Sequence, residues 1–150
     1  MSARLAKLIA EARDLNRSLV IVAGERGKTK ALEDIGDALG KPTVRLGAVL
    51  GPMLAATARD ARAFAAGDYL REIAAREKGV ALLDNLEILF ESGLGINPLD
   101  ALRGLAHSRV VVAAWPGTYK DGRLAYAPPG HKEHRDYPAD GLVVFETRNH

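Results

Sequence analysis

Apolar residues follow two alternating patterns along this chain. Several segments are short, nearly uninterrupted apolar runs, which are typical of strands buried on both faces of a sheet. We predict strands over residues 18–23, 42–46, 79–83, 110–114 and 142–145, and a small edge strand over 124–127. The first run, SLVIVA, is bounded by polar residues on one side and by Gly24 on the other. These runs are therefore the expected core strands of the protein.

Between these runs, apolar residues recur every three or four positions, which is the spacing of one helix face. This spacing predicts helices over residues 3–16, 30–39, 53–77 and 98–106. A break in the third helix is expected near Gly67. Gly40 stands where the second helix should end, because glycine readily adopts the left-handed conformation of a helix terminus. Asn97 and Pro98 suit the N-cap and first position of the last helix.

The alternation of strands and helices indicates an α/β protein with a mainly parallel sheet. We expect a three-layer αβα domain over residues 1–150, with five parallel core strands covered by helices on both faces. A length of 150 residues suits one domain, and we find neither a repeat nor a linker. Ligands of such sheets bind at the carboxyl ends of the strands. The residues that directly follow the strands are therefore the candidates for a functional site.

A candidate phosphate-binding loop follows the first predicted strand and consists of Gly24, Glu25, Arg26, Gly27, Lys28 and Thr29. In a P-loop, glycines let backbone N–H groups approach the phosphates, lysine contacts the β- and γ-phosphates, and threonine binds Mg²⁺. Only Glu25 and Arg26 separate the first glycine from the GKT triplet, where the pattern has four residues. An ordinary strand-to-helix turn is the alternative. The strand before the loop and the helix after it favour nucleotide binding.

The third predicted core strand ends at Asp84, as a Walker B strand ends in a carboxylate. We expect Asp84 and Thr29 to hold Mg²⁺ together. Asn85 stands where hydrolytic P-loop proteins often carry glutamate, and Glu87 lies two residues further along. Asn85 or Glu87 is therefore the candidate for orienting the attacking water. The alternative is that Asp84 only caps a helix that begins at residues 85–86.

A polar segment over residues 128–137 contains His131, His134 and Arg135. The histidine spacing would suit a metal on a helix, but the prolines favour a loop that contacts a neighbouring subunit or another protein. Arg135 is a candidate arginine finger acting in trans, because it is a charged residue in a late loop. Trp115, which follows the fourth core strand, is expected to pack against neighbouring structure. Stacking on a base or filling a partner's pocket is its alternative role.

Composition narrows the classes of protein further. The chain contains no cysteine, which excludes disulfides and thiolate metal sites and agrees with a cytoplasmic location. The formal net charge of +2 is too small to identify a nucleic-acid-binding protein. Arginines of the third predicted helix alternate with acidic residues, which favours a solvated face over a DNA-binding stripe. No apolar stretch is long enough for a signal sequence or a membrane span, so no membrane contact is expected.

Four segments together resemble one known family: 82–90 (LLDNLEILF), 97–99 (NPL), 110–117 (VVVAAWPG) and 126–131 (YAPPGH). With their order and spacing and the total length, they resemble BrxF, the small P-loop protein family of type 3 BREX phage-exclusion systems. The likeness covers most of the chain and is clearest over 80–137. It implies an AAA-like nucleotide fold in a cytoplasmic bacterial defence component that works with BREX methyltransferase, phosphatase-like and larger ATPase components. The family's P-loop corresponds to Lys28 and Thr29, and its Walker B motif to Asp84.

The sequence supports two hypotheses of different classes. In the first, the chain is an ATP-binding, weakly hydrolysing P-loop protein that uses Mg²⁺ and assembles as a homo-oligomer or with other BREX components. In the second, it is a degenerate P-loop scaffold without hydrolysis that serves as a DNA-binding or protein-interaction subunit. The shortened loop and the absence of glutamate directly after Asp84 favour the second. A P-loop kinase acting on a small molecule is disfavoured, because no arginine-rich lid segment stands out.

Overall fold

The computed structural model of the protein describes residues 2–14 and 18–147. In chain order its strands are β1 (Ser18–Ala23), β2 (Thr43–Arg45), β3 (Val80–Asp84), β4 (Val110–Ala114), β5 (Thr118–Lys120), β6 (Arg123–Tyr126), β7 (Arg135–Pro138) and β8 (Val143–Glu146). Five of them form one sheet in the order β2-β3-β4-β1-β8, and every neighbouring pair is parallel. Strands β5, β6 and β7 form a small antiparallel sheet.

The α-helices are α1 (Ser2–Asp14), α2 (Lys28–Leu39), α3 (Leu46–Ala55), α4 (Arg62–Ala75) and α5 (Pro98–Leu105). A 3₁₀ helix, Leu86–Phe90, directly follows β3. Two helix ends form as the sequence predicts. Gly40 adopts a left-handed conformation at the end of α2, and the Asn97 side chain accepts a hydrogen bond from the Asp100 N–H at the start of α5.

Helices cover both faces of the parallel sheet, because alternate side chains of the buried strands point to opposite faces. Val20 and Val22 of β1 belong to the apolar cluster that includes the buried side chains of α1 and α2. Leu19 and Ile21 belong to a second cluster with the buried side chains of α3, α4 and α5. The α/β class and the mainly parallel five-stranded sheet are thus as predicted, and the arrangement is compatible with three αβα layers.

The long helix predicted over 53–77 is wrong in its boundaries. Helix α3 already begins at Leu46, and the break falls between Ala55 and Arg62 rather than near Gly67, which lies inside α4. The Thr57 hydroxyl donates a hydrogen bond to the Met53 carbonyl at 2.8 Å, so it satisfies a carbonyl near the end of α3. This local capping stabilises the break. Residues 15 and 16 of the first predicted helix lie outside the described residues.

The small sheet corrects two further expectations. The sequence predicts an edge strand over 124–127, whereas the observed strand β6 is the central strand of its sheet. The segment predicted as a loop over 128–137 ends in β7, which pairs with β6. Trp115 and Leu124, both fully buried, belong to the same apolar cluster as Leu83 of the large sheet. The small sheet is therefore packed onto the end of the core by apolar contacts.

Among residues 2–14 and 18–147, no helix combines the length and the apolar character needed to cross a bilayer.

Candidate functional site

A polar cleft opens at the carboxyl ends of the parallel strands, where the sequence predicts a site. Its volume is about 200 Å³. This is less than the roughly 300–1,000 Å³ of a pocket that encloses a whole small molecule. Lys28 and Thr29 line it from the start of α2, Asp84 and Glu87 from the end of β3 and the residues after it, and Trp115 from the end of β4. A cleft of this size suits the phosphate groups of a nucleotide better than the entire ligand.

The loop between β1 and α2 depends on two glycines in conformations that other residues rarely adopt. Gly24 has φ +142° and Gly27 has φ +82°. Gly27 is the N-cap of α2, and within the described part of the chain no side chain caps it. No acidic side chain stands in the first turn of this helix. The positive end of the helix dipole therefore has no carboxylate of its own helix beside it, which favours an anionic ligand.

Lys28 is half-buried at the base of the cleft. Its Nζ donates a hydrogen bond to the Trp115 carbonyl oxygen at 2.5 Å. Burial lowers the pKa of the Lys28 ammonium, while the carboxylates of Glu87 and Asp84 act in the opposite direction and raise its pKa. The lysine is thus a cation held within the cleft by one backbone carbonyl and two nearby carboxylates. A phosphate group entering the cleft would give it a stronger partner than a neutral carbonyl.

Thr29 and Asp84, which are 55 residues apart in sequence, meet in the cleft. The Thr29 hydroxyl donates a hydrogen bond to Asp84 Oδ2 at 2.7 Å, and the Asn85 N–H donates to Asp84 Oδ1 at 2.8 Å. These oxygen donors, a hydroxyl and a carboxylate, are of the kind that Mg²⁺ prefers. Asp84 does not cap the following 3₁₀ helix, whose N-cap is Asn85. The alternative that Asp84 caps this helix is therefore wrong, because the N-cap lies one residue later in the chain.

Asn85 and Glu87 both line the cleft, next to Asp84. Asn85 has a left-handed backbone, with φ 60°, and its side-chain amide donates to Glu87 Oε1 at 3.3 Å. Its carbonyl oxygen accepts a hydrogen bond from the Gly47 N–H at 3.1 Å. A side chain at position 47 would collide with the Asn85 amide oxygen, so glycine at that position permits the turn. These contacts direct the exposed Glu87 carboxylate toward the cleft.

Arg45 is a residue of the cleft that the sequence analysis missed. It ends β2, and its partner in the sheet register is Asp84. Arg45 lines the cleft with Lys28. None of the ion pairs formed within residues 2–14 and 18–147 includes it. Its position at the end of a predicted strand was the available signal. The cleft is thus lined by two cationic side chains, those of Lys28 and Arg45.

Other candidate residues lie elsewhere. Glu25 and Arg26 belong to the loop but are exposed and do not line the cleft. Arg135 lies on β7, outside the cleft, and its guanidinium donates to the His134 carbonyl at 2.9 Å. Its role in trans stays a prediction. Among the described residues, no group of three or more His, Asp or Glu side chains is suitable for a metal.

Trp115 packs in the interior, as expected, and contributes its backbone carbonyl to the cleft. Its side chain is 0 % exposed, and its indole N–H donates to the Ala125 carbonyl at 3.0 Å. Phe90 meets it edge to face, with ring centroids 5.3 Å apart. The indole is therefore not available to stack on a base.

Arg71 of α4 and Arg76, directly after this helix, form ion pairs on the helix surface. Arg71 pairs with Asp68, and Arg76 lies 3.9 Å from Glu72. Such intrahelical pairs are those of a solvated helix face, in agreement with the sequence analysis.

The site combines a helix N-terminus, a lysine, a hydroxyl–carboxylate pair and a second carboxylate. Such a set can bind phosphate groups together with a divalent cation, and Glu87 is available to accept a proton from water. The chain matches no protein-family model, and comparison with curated proteins and with solved structures gives no match.

Proposed function

We propose that the chain is an ATP-binding P-loop protein with an AAA-like αβα fold. The observation that carries the proposal is the hydrogen bond between Thr29 and Asp84 beside Lys28. It brings the last residue of the GKT triplet to the carboxylate at the end of β3, as a nucleotide–Mg²⁺ site requires. The sheet order supports the class, because β4 lies between the loop strand β1 and the Walker B-like strand β3. A strand in the position of β4 is the feature after which the additional-strand class of P-loop ATPases is named.

Each cleft residue has a distinct role in this proposal. Lys28 exchanges the Trp115 carbonyl for the phosphate oxygens of ATP. The Thr29 hydroxyl and the Asp84 carboxylate hold Mg²⁺, which neutralises phosphate charge when it is bound. Arg45 adds a second cation at the β2 side of the cleft. Glu87, oriented by Asn85, accepts a proton from the attacking water.

The binding test is calorimetry with ATP in the presence and absence of Mg²⁺, together with the shift in melting temperature that ligand binding produces. We expect Mg²⁺ to strengthen ATP binding by the wild-type protein. No heat and no rise in melting temperature with ATP–Mg²⁺ would refute the proposal.

Asp84→Asn is expected to remove most of the Mg²⁺ effect. The substitution replaces the charged metal ligand by a neutral amide, and interactions with a charged group contribute about 1.5–3 kcal/mol, or roughly tenfold or more in Kd. The measurement is the ratio of ATP Kd values with and without Mg²⁺. Asp34→Asn is the matched control, because Asp34 lies on the exposed face of α2. An unchanged ratio in Asp84→Asn would contradict the metal assignment.

Glu87→Gln is expected to lower ATP turnover about 100-fold with little change in the Kd for ATP, because general-base catalysis contributes roughly 10²–10⁴-fold. Phosphate release at saturating ATP measures the effect. Glu91→Gln is the control, since Glu91 is exposed and does not line the cleft. If the two variants turn over ATP equally, Glu87 does not orient the attacking water.

The resemblance to the BrxF family supports a cellular role for this site. We infer a cytoplasmic component of a BREX phage-defence complex, which assembles as a homo-oligomer or with other BREX components. In such an assembly, Arg135 of one subunit would act on the cleft of the next. Co-purification with the other BREX proteins, with and without ATP, tests this role.

The second candidate function is a P-loop scaffold without hydrolysis. Two observations favour it: the loop is two residues shorter than the P-loop pattern, and Asn85 occupies the place of the usual glutamate. ATP binding without phosphate release by the wild-type protein would select this function. Titration with duplex DNA at two salt concentrations tests its DNA-binding form, since affinity based on phosphate contacts falls steeply as salt rises.

A further inference from the structure

Thr147, directly after β8, contacts the short phosphate loop from the side opposite the cleft. Its side chain is buried, with 8 % exposure. The Thr147 N–H donates a hydrogen bond to the Ala23 carbonyl at 2.8 Å, which continues the pairing of β8 with β1. The hydroxyl lies 2.6 Å from the Arg26 carbonyl and 3.2 Å from the Ala23 carbonyl. A hydroxyl has a single proton, so the shorter contact, to Arg26, is the stronger bond.

The same hydroxyl explains the glycine at the start of the loop. A Cβ atom at position 24 would collide with Thr147 Oγ1. Thr147 therefore occupies the space that a side chain at this position would need. It lies next to a loop that is two residues shorter than the P-loop pattern.

The bond to Arg26 also orients the next amide of the loop. In a planar trans peptide, the C=O of one residue and the N–H of the next point in opposite directions. Because β8 lies on the far side of β1 from β4, the Arg26 carbonyl points toward β8. The Gly27 N–H then points away from Thr147.

We propose that Thr147 is a positioning residue for phosphate binding: its hydroxyl holds the Arg26 carbonyl so that the Gly27 N–H faces a bound phosphate group. The inference rests on the proposed nucleotide-binding function. It assigns a role to a residue that does not itself touch the ligand. Thr147, directly after the edge strand β8, thereby supports a loop that is two residues shorter than the P-loop pattern.

The test compares variants of Thr147 that keep or remove the hydroxyl. Thr147→Val keeps the shape and loses the donor, so the Kd for ATP–Mg²⁺ is expected to rise about fivefold, within the range that one net hydrogen bond contributes. Thr147→Ser keeps the donor and should restore the affinity to within about twofold of wild type. Thr118→Val is the matched control, because Thr118 is exposed on β5 outside the cleft.

The carbonyl ¹³C chemical shift of Arg26, measured by NMR on the unliganded protein, provides a second readout that does not require ATP binding. In Thr147→Val this shift should change, because the carbonyl loses its hydrogen-bond donor, while the Ala31 amide, bonded to the Gly27 carbonyl at 2.9 Å, should remain protected from exchange. Thr147→Ala removes the hydroxyl in the same way and replaces the valine variant if that chain does not fold.

The outcomes separate this inference from the proposed function. If wild type does not bind ATP, the nucleotide function fails, and the Arg26 carbonyl shift alone decides whether Thr147 holds the loop. If wild type binds ATP and the hydroxyl-free variant binds equally well, the inference is overturned. A lower melting temperature without loss of affinity also overturns it, because that result assigns Thr147 a structural role only.

Discussion

Lys28→Ala is expected to raise the Kd for ATP–Mg²⁺ about 100-fold, which corresponds to about 2.7 kcal/mol. Lys28 is the half-buried cation of the cleft, and its ammonium donates a hydrogen bond to the neutral Trp115 carbonyl. Charge-assisted bonds to phosphate are roughly twice as strong as neutral ones, and hydrogen bonds to charged groups contribute about 1.5–3 kcal/mol each. Removal of the ammonium also deprives the phosphates of one of the two cationic side chains that offset Asp84 and Glu87 in the cleft.

Calorimetry with ATP–Mg²⁺ measures this effect. Lys30→Ala is the matched control, because Lys30 lies two residues further along α2 and forms an exposed pair with Asp34 at 3.2 Å. Its loss should change the ATP Kd by less than about twofold, as is usual for exposed pairs. Equal affinities of Lys28→Ala and wild type would show that the GKT triplet does not bind phosphate.

Trp115→Ala is expected to destabilise the protein by about 3–5 kcal/mol, the usual cost of truncating a buried aromatic side chain. The indole is fully buried between Phe90 and Tyr137, with ring centroids 5.3 and 6.2 Å away. The substitution removes these contacts, leaves a cavity and deprives the Ala125 carbonyl of its donor. A loss of this size is a large part of the 5–15 kcal/mol by which domains are stable.

Urea unfolding followed by circular dichroism is the measurement, because Trp115 is the single tryptophan of the chain and its fluorescence disappears with it. Trp115→Phe keeps an aromatic ring and loses the indole N–H, so it should cost about 1–2 kcal/mol. An alanine variant as stable as the phenylalanine variant would be inconsistent with the packing of the small sheet on Trp115.

The sequence predicts best the elements whose signal is local. Strands β1 and β4 have the predicted boundaries, because a strand buried on both faces is a continuous apolar run. Helix α3 has no such signal. Its sequence, LGAVLGPMLA, is apolar on all sides and contains proline and two glycines, so no polar face reveals its period. The small sheet depends on aromatic contacts between distant segments, such as Phe90 with Tyr126.

The residues of the candidate site also differ in how well local sequence patterns predict them. The sequence predicts Lys28, Thr29 and Asp84, because each follows a recognisable strand and belongs to a known pattern. Arg45 ends β2, and Thr147 follows β8. Both residues lie near the site because of the strands beside which β2 and β8 pair in the sheet. The order β2-β3-β4-β1-β8 arises from pairing between distant segments, which local patterns do not specify. Sequence reasoning therefore finds the residues that bear a motif and misses those that the sheet order brings to it.

The position of β1 between β4 and β8 has a consequence for folding during synthesis. Both partners of this apolar strand lie in the last third of the sequence, so β1 leaves the ribosome long before either can pair with it. Pairings between distant segments form slowly, and an unpaired apolar strand is a site of aggregation. The nascent chain must therefore keep SLVIVA protected, for instance by early packing against α1 and α2. The loop over residues 24–27 acquires its final form only when the segment that includes Thr147 has emerged.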